Sequence, residues 1–226
     1  MSDKIKMVVF DMAGTTVNED NIVYKTLRSA INEAGFAFTL NEVLAEGAGK
    51  EKKQAIRSIL KVYAGVKDEK LINIIFNNFL QMLTQAYLIA DIFPQPNAFK
   101  LFIKLKAQHI ITVLNTGYDR GTAHSIIRKL KWQEGIDFDC LVTATDVDKN
   151  RPNPDMIYFA MKKFGISDGA EVVKVGDSII DIQEGQNAGC RLSIGITTGA
   201  HTLAQLRTAN PDHIIEDLED LLSFIN

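Results

Sequence analysis

Two cysteines in 226 residues, Cys140 and Cys190, lie far apart and without CxxC spacing. That excludes a disulfide framework and a clustered zinc site, and free thiols fit a reducing compartment such as the cytoplasm. Basic excess is also missing. Lys and Arg number 25 against 28 Asp and Glu, a net charge of -3, so no face is offered to nucleic acid and no polybasic segment to a membrane. Long apolar runs are absent too. "MSDKIKMVVF" carries too short a run for a signal peptide or a span, and no later segment is longer, which points to a cytoplasmic protein. Internal repeats and low-complexity tracts do not occur. Hydrophobic residues at 46% still suffice for a sizeable core in one large domain, or in a core with a smaller insert.

The first informative stretch is "VVFDMAGTTV", residues 8–17. An apolar, β-branched run reads as a strand buried on both faces, and Asp11 ends it before a Gly-Thr-Thr turn. Such a turn presents a nucleophilic carboxylate at a strand tip. A second carboxylate is usual two residues later, and here that position is Ala13.

From about 19 to 91 the pattern changes. "NIVYKTLRSAINEAG", "KEKKQAIRSILKVYAG" and "KLINIIFNNFLQMLTQAYLIA" place apolar residues three and four apart, which predicts three or four helices with no strand between them. "DIFPQPN" (91–97) marks a return to the main domain. Strands at 109–115, 139–146, 171–177, 191–197 and 213–216 then alternate with helices near 119–130, 154–164 and 179–188, and a short helix ends the chain. Strands alternating with helices imply a parallel α/β sheet with helices on both faces. The expected division is 1–17 with 92–226 as the α/β core and 18–91 as a helical cap.

Ligands of open α/β sheets lie beyond the carboxyl ends of the strands, where Asp11, Thr116, Arg151 and Asp177 all fall. Asp11 and Asp177 suit a hard divalent cation such as Mg²⁺, which takes one or two carboxylates beside phosphate and water. Asp181, one helical turn after Asp177, is placed to orient a bound water or the ligand Asp177. Thr116 and Gly117 offer a hydroxyl and a backbone N–H to an anion, and Arg151 offers a fork of donors to phosphate oxygens. A nucleophile, a metal, a hydroxyl and a guanidinium together make a phosphoryl-transfer site.

"FDMAGTT", "LNTGYD", "RPNPDM" and "VGDSIIDIQEGQNAG" resemble, in order and spacing, the four motifs of the haloacid dehalogenase superfamily, and the helical segment sits where that superfamily inserts its cap. The resemblance implies a Rossmann-like core, with Asp11 forming an aspartyl-phosphate. It also implies Mg²⁺ held by Asp11, Asp177 and the Ala13 carbonyl, with Thr116 and Arg151 on the phosphoryl group.

Phosphatases of this superfamily carry an acid at the position of Ala13, and dehalogenase members lack both the acid and the metal. The phosphonatase branch, which cleaves the C–P bond of phosphonoacetaldehyde, looks like "DxAGTT", "TGY" and a third-motif arginine, matched here by Asp11–Thr16, Thr116–Tyr118 and Arg151. A carbon leaving group needs an electron sink rather than a proton on oxygen, and a lysine imine supplies one. The branch has that lysine three residues after a cap glycine, so Gly49 points to Lys52. The bland alternative for Lys50, Lys52 and Lys53 is a solvated helix face. Three positions depart from the branch: Met12, Ala48 and Ala55 stand where it has Trp, Met and His.

Parts of the chain look closer still to the phosphonatase-like hydrolases. Tyr118 donates to phosphate, covers the substrate, or packs in its helix; His201 in "GITTGAH" either reaches the site or, the favoured reading, is a surface-loop histidine, and Trp132 reads as a packing residue. The leading function is hydrolysis of a small phosphonate. The alternatives are a phosphatase for small organophosphates and a non-catalytic sensor of a phosphate ligand. Related phosphonatases pair through their caps, which implies a homodimer.

Overall fold

The computed structural model describes residues 4–225, so residues 1–3 and 226 of the expected core lie outside it. Strand β1 (Met7–Asp11) is buried along its whole length. Val8 and Phe10 join one apolar cluster while Met7 and Val9 join another, so alternate side chains feed the two faces of the sheet. A two-residue strand β2 (Val17–Asn18) follows, and then four helices: α1 (Ile22–Glu33), α2 (Leu40–Gly47), α3 (Lys52–Ala64) and α4 (Glu69–Ile89). Strand β3 (Phe93–Pro94) pairs antiparallel with β2, and this short ribbon, which the sequence pattern did not reveal, carries the chain out of the core and back.

The remaining elements are α5 (Ala98–Ala107), β4 (Ile111–Thr116), α6 (Arg120–Leu130), β5 (Cys140–Thr143), α7 (Asp155–Lys163), β6 (Val172–Gly176), α8 (Ile179–Asn187), β7 (Leu192–Ile196), α9 (Leu203–Arg207), β8 (His213–Ile215) and α10 (Leu222–Ile225). The other six strands form one parallel sheet in the order β5-β4-β1-β6-β7-β8. Its register sets Asp11 opposite Asn115 and Phe10 opposite Val175, so β1, β4 and β6 end together. Leu101, Phe102 and Ile126 of α5 and α6 cover the Val8–Phe10 face, and Met156, Ile157 and Ala160 of α7 cover the other. Trp132 packs edge-on to Phe102, as the packing reading expects.

In the helical layer, Ile72, Ile75, Phe79 and Leu83 make a buried stripe along α4 at three- and four-residue spacing. Val23, Leu27 and Ile31 of α1 belong to the same apolar cluster, with Ile56, Ile59 and Leu60 of α3. Each such side chain removed from water contributes about 1.5–3 kcal/mol. Sequence also fixes where these helices start. Asp68 caps α4 by accepting from the N–H groups of Lys70 and Leu71, and Glu51 caps α3 through those of Lys53 and Gln54. The Glu51 cap has a functional consequence, because Lys52 is the first residue of that helix. No helix among the described residues is long and apolar enough to cross a membrane.

Candidate active site

Asp11 leaves β1 at the sheet's carboxyl edge, and the turn after it closes on the Met12 carbonyl, which accepts from the N–H groups of Thr16 and Val17, each at 2.8 Å. The Thr16 hydroxyl donates to the Asp11 carbonyl at 3.0 Å. These bonds hold the aspartate with one carboxylate oxygen, Oδ1, accepting from Arg151 Nη1 at 2.7 Å. Among the described residues no donor reaches its Oδ2.

Asp177, just past β6, faces Asp11 across a cavity of ≈ 10 Å³ that Ala13, Tyr24, Gly49, Lys52, Thr116, Gly117, Tyr118 and Arg151 also line. That volume is room for about one water. The site is closed. Gly117 of the core lies so near the α2–α3 loop that a Cβ there would come within 2.9 Å of the Gly49 and Lys50 carbonyls. Gly49 (φ +72°) reciprocates, since a Cβ on it would stand 2.3 Å from Ser178 Oγ. Glycine is thus required on both sides of the core–cap seam.

Burial and mutual repulsion govern the carboxylates. Burial, then the charges of Asp11 and Asp181, push Asp177 well above the usual range, against a 2.6 Å bond from the Ala200 N–H. Burial and Asp181 raise Asp11 as well, with Arg151 and Lys174 opposing. Burial acts in the same sense on Asp181, but Arg151 and Lys174 outweigh it and hold that carboxyl low. No ion pair neutralises Asp177 among the described residues. Two buried, mutually repelling carboxylates, one without a cation, are what a divalent cation would relieve, and oxygen-only donors suit Mg²⁺. The residues therefore fit the metal. Asp181 is otherwise engaged: its Oδ1 lies 2.9 Å from Arg151 Nη1 and 3.0 Å from Lys174 Nζ, and Oδ2 accepts from the Ser178 hydroxyl.

Arg151 is 1% exposed, and its whole fork is committed. Besides Asp11 it bonds Glu184 Oε2 at 2.9 Å, the Asn115 carbonyl at 3.0 Å and Asn115 Oδ1 at 2.6 Å. It stands behind the nucleophile as a fixed charge. Thr116 Oγ1 accepts from the Tyr118 N–H at 3.2 Å at the cavity wall. The Tyr118 hydroxyl donates to Glu19 Oε1 at 3.0 Å, while its ring borders the cavity.

Lys52 is buried rather than part of a solvated face, with 6% exposure. Its Nζ donates to the Lys50 carbonyl at 2.8 Å and sits 5.1 Å from the centroid of the Tyr24 ring and 5.0 Å from that of Tyr118. Burial lowers its pKa to about 8, with Arg151 acting in the same sense and Asp11, Glu51 and Glu19 opposing. Lys50 instead turns to Ser58 and Glu46.

Sequence reasoning missed several groups. His201 is not a surface residue: it is 4% exposed, its Nδ1 accepts from the Ile179 N–H at 3.0 Å, and Nε2 lies 3.3 Å from the Leu44 carbonyl on the helical layer. The loop carrying it folds inward because the Ala200 and His201 N–H groups both bond Asp177. Lys174 and Glu184 brace Arg151 and Asp181. The one available signal was a lysine in the apolar run "EVVKVGD". Glu19 sat unnoticed in the polar run "NEDN".

A parallel α/β sheet with an inserted helical layer, and an aspartate at the tip of its central strand, defines a class of hydrolase folds. Residues 8–194 match the family model described as haloacid dehalogenase-like hydrolase, and the chain belongs to that family. It is a hydrolase. It is 32% identical over 211 residues to a phosphonoacetaldehyde hydrolase of Latilactobacillus sakei, covering 88% of this chain and 78% of that one. Among solved structures it is similar to a phosphonoacetaldehyde hydrolase like protein from Oleispira antarctica (TM-score 0.84, 23% identity, 98% of this chain and 91% of that one). A hydrolase from Pseudomonas syringae shares the fold to the same degree (TM-score 0.84, 20% identity, 96% of each chain).

Proposed function

We propose that the protein hydrolyses the C–P bond of a small phosphonate aldehyde of the phosphonoacetaldehyde type, with Mg²⁺. The observation that carries this reading is the buried Lys52 amine, its pKa lowered to about 8, sharing one cavity with the Asp11 carboxylate. The name of the Latilactobacillus relative supports the same substrate class. Residues 1–17 and 92–226 act as the core and 18–91 as a cap that brings Lys52 to the site.

Neutral Lys52 adds to the aldehyde carbon, and uptake of one proton from solvent with loss of water leaves an imine protonated on nitrogen. Asp11 Oδ2 attacks phosphorus. The C–P bond breaks, and its electron pair moves into the carbon–carbon bond and onto nitrogen as an enamine. Water then cleaves the aspartyl-phosphate to phosphate, while protonation at carbon and hydrolysis free the aldehyde and the amine. No oxygen leaving group forms, so the bond-breaking step needs no proton from position 13. Mg²⁺, held by Asp11, Asp177 and the Ala13 carbonyl, would neutralise charge on the phosphoryl oxygens. Asp181, paired with Arg151 and Lys174, braces the guanidinium rather than the metal. Thr116 and the Gly117 N–H hold the phosphoryl group, Arg151 supplies the fixed charge behind Asp11, and the Tyr118 ring covers the substrate.

The test is a panel of phosphonates and phosphate esters, with and without Mg²⁺, together with borohydride trapping. Phosphonoacetaldehyde and borohydride should modify Lys52 and inactivate the enzyme, and Lys52→Arg should lose C–P cleavage. Full activity of Lys52→Arg, or faster turnover of esters than of any phosphonate, would replace this reading with a phosphatase.

A further inference from the structure

Glu19 is buried and lies just past β2, on the linker between core and cap, and the steps above do not use it. Its two carboxylate oxygens are each met by a phenol. Oε1 accepts from the Tyr118 hydroxyl of the core at 3.0 Å, and Oε2 accepts from the Tyr87 hydroxyl of α4 in the cap. An acceptor-only carboxylate satisfies both donors at once, whereas a protonated acid would lose one of them. The Tyr118 ring that this arrangement pins is the ring whose centroid lies 5.0 Å from the Lys52 nitrogen.

The acidic groups facing Lys52 are Asp11 from β1, Glu51 from its own helix turn and Glu19 from the linker, and Arg151 is the facing cation. Asp11 is engaged by Arg151, and in the proposed reaction it also becomes bonded to phosphorus. Glu51 is spent on the N–H groups of Lys53 and Gln54. Glu19 alone of the three is met chiefly by phenols, with the Val23 N–H of α1 as its one backbone donor and Lys52 as the one cation facing it. The groups facing Glu19 are Tyr87, Tyr118, Lys52 and the Val23 N–H of α1.

We propose that Glu19 is a positioning residue for Lys52: held by Tyr87 and Tyr118, it supplies the negative charge that steadies a cation on the Lys52 nitrogen and fixes the aromatic wall beside it. In the reading above, the cation it steadies is the protonated imine that draws in the electron pair of the C–P bond, so the inference rests on that reading. Burial pushes the Glu19 pKa up to about 7, with the two phenols and Lys52 opposing, so it is ionised where the Lys52 amine begins to lose its proton.

The experiment measures reductive alkylation of Lys52 by acetaldehyde and borohydride as a function of pH, with Mg²⁺ present, using peptide mapping. Acetaldehyde carries no phosphonate, so this readout does not depend on C–P cleavage. Only the neutral amine reacts. A nearby negative charge favours the ammonium, so Glu19→Gln should move the midpoint to lower pH by about one unit. At a pH above both midpoints the same variant should cleave phosphonoacetaldehyde about tenfold more slowly, because its imine cation is less stabilised. Easier trapping with slower cleavage is a combination that simple loss of packing does not produce. Glu19→Asp should recover part of both effects. Tyr87→Phe, a milder change that removes one donor, should shift the midpoint in the same direction by less, and it serves if Glu19→Gln does not fold. An unmoved midpoint in Glu19→Gln, or in Tyr87→Phe if that variant must stand in, overturns the Glu19 inference. If the shift appears but phosphonoacetaldehyde never traps Lys52 in the unmodified protein, the phosphonatase reading fails and the role given to Glu19 in it is withdrawn.

Discussion

Arg151 and Lys52 bring two cations to one cavity, and the protein holds them in opposite ways. The core surrounds Arg151 with Asp11, Asp181, Glu184 and Asn115 and leaves no donor idle. The cap gives the Lys52 nitrogen one carbonyl and two aromatic faces. The first environment makes a charge permanent and the second makes it removable, because desolvation without full pairing favours the neutral amine. The proposed reaction, which binds an anion and uses an uncharged nitrogen, needs both, and placing them on separate layers keeps one from cancelling the other.

The largest test acts on the anion that both cations face. Asp11→Asn keeps the shape but is neither a nucleophile nor an anionic metal ligand. Turnover should fall on the order of 10⁴-fold or more with an unchanged circular dichroism spectrum. Wild-type rates on the best substrate would rule out a covalent intermediate on Asp11.

A core cation and the cap cation should then separate in stability, with Lys174, which shares Asp181 and Glu184 with Arg151, as the core member. Lys174→Met leaves Asp181 and Glu184 buried with Arg151 as their shared cation, and should cost about 3–5 kcal/mol in urea unfolding. Lys52→Met replaces an amine with a chain of similar length in an aromatic pocket. Burial depresses the Lys52 pKa, so the folded state disfavours the proton below about pH 8, and that penalty fades as pH rises toward the unfolded value. Lys52→Met should therefore be more stable than the unmodified protein at pH 7, by about 1–3 kcal/mol, and the gain should shrink at high pH. Equal losses from the two substitutions would mean that Lys52 is held as firmly as Lys174.

These differences mark how far the sequence was legible. The strands and helices of the core were, because apolar runs and three-to-four spacing come directly from burial. Asp11, Thr116, Arg151 and Asp177 converge because parallel strands end at one edge, so chain order alone placed them. Lys52 was visible only through the resemblance to the phosphonatase branch, which places a lysine three residues after Gly49, and its sequence neighbours Lys50 and Lys53 made it look solvated. Lys174 showed only as a lysine in an apolar run, and Glu19, Tyr87 and Glu184 were not legible, since their partners lie across elements distant in the chain and leave no period to read. The β2–β3 ribbon was too short to show alternation.

A smaller effect is kinetic. If the neutral Lys52 amine is the attacking form, kcat/KM for phosphonoacetaldehyde should rise about tenfold per pH unit below about 8 and level off above it. A flat profile from pH 6 to 9 would show that the proton on Lys52 is irrelevant to the rate.

The smallest expected change concerns Ala13, half-buried at the wall of the cavity it shares with Asp11 and Asp177. In a phosphatase an acid at this position would protonate a leaving alkoxide, a contribution of about 10²–10⁴-fold. In the proposed reaction the leaving group is carbon and its electrons are drawn into the enamine, so the added acid has no proton to deliver as the bond breaks. It would add a third carboxylate to a space that burial and repulsion already make costly for Asp177. Ala13→Asp should therefore slow C–P cleavage, roughly three- to tenfold, chiefly by weakening phosphonate binding, while hydrolysis of simple phosphate esters rises from its low base. Opposite movement of the two activities in one variant is the signature of a missing acid that the chemistry does not need. Faster C–P cleavage in Ala13→Asp would mean that the departing group takes a proton from the protein, and the enamine would no longer be its electron sink.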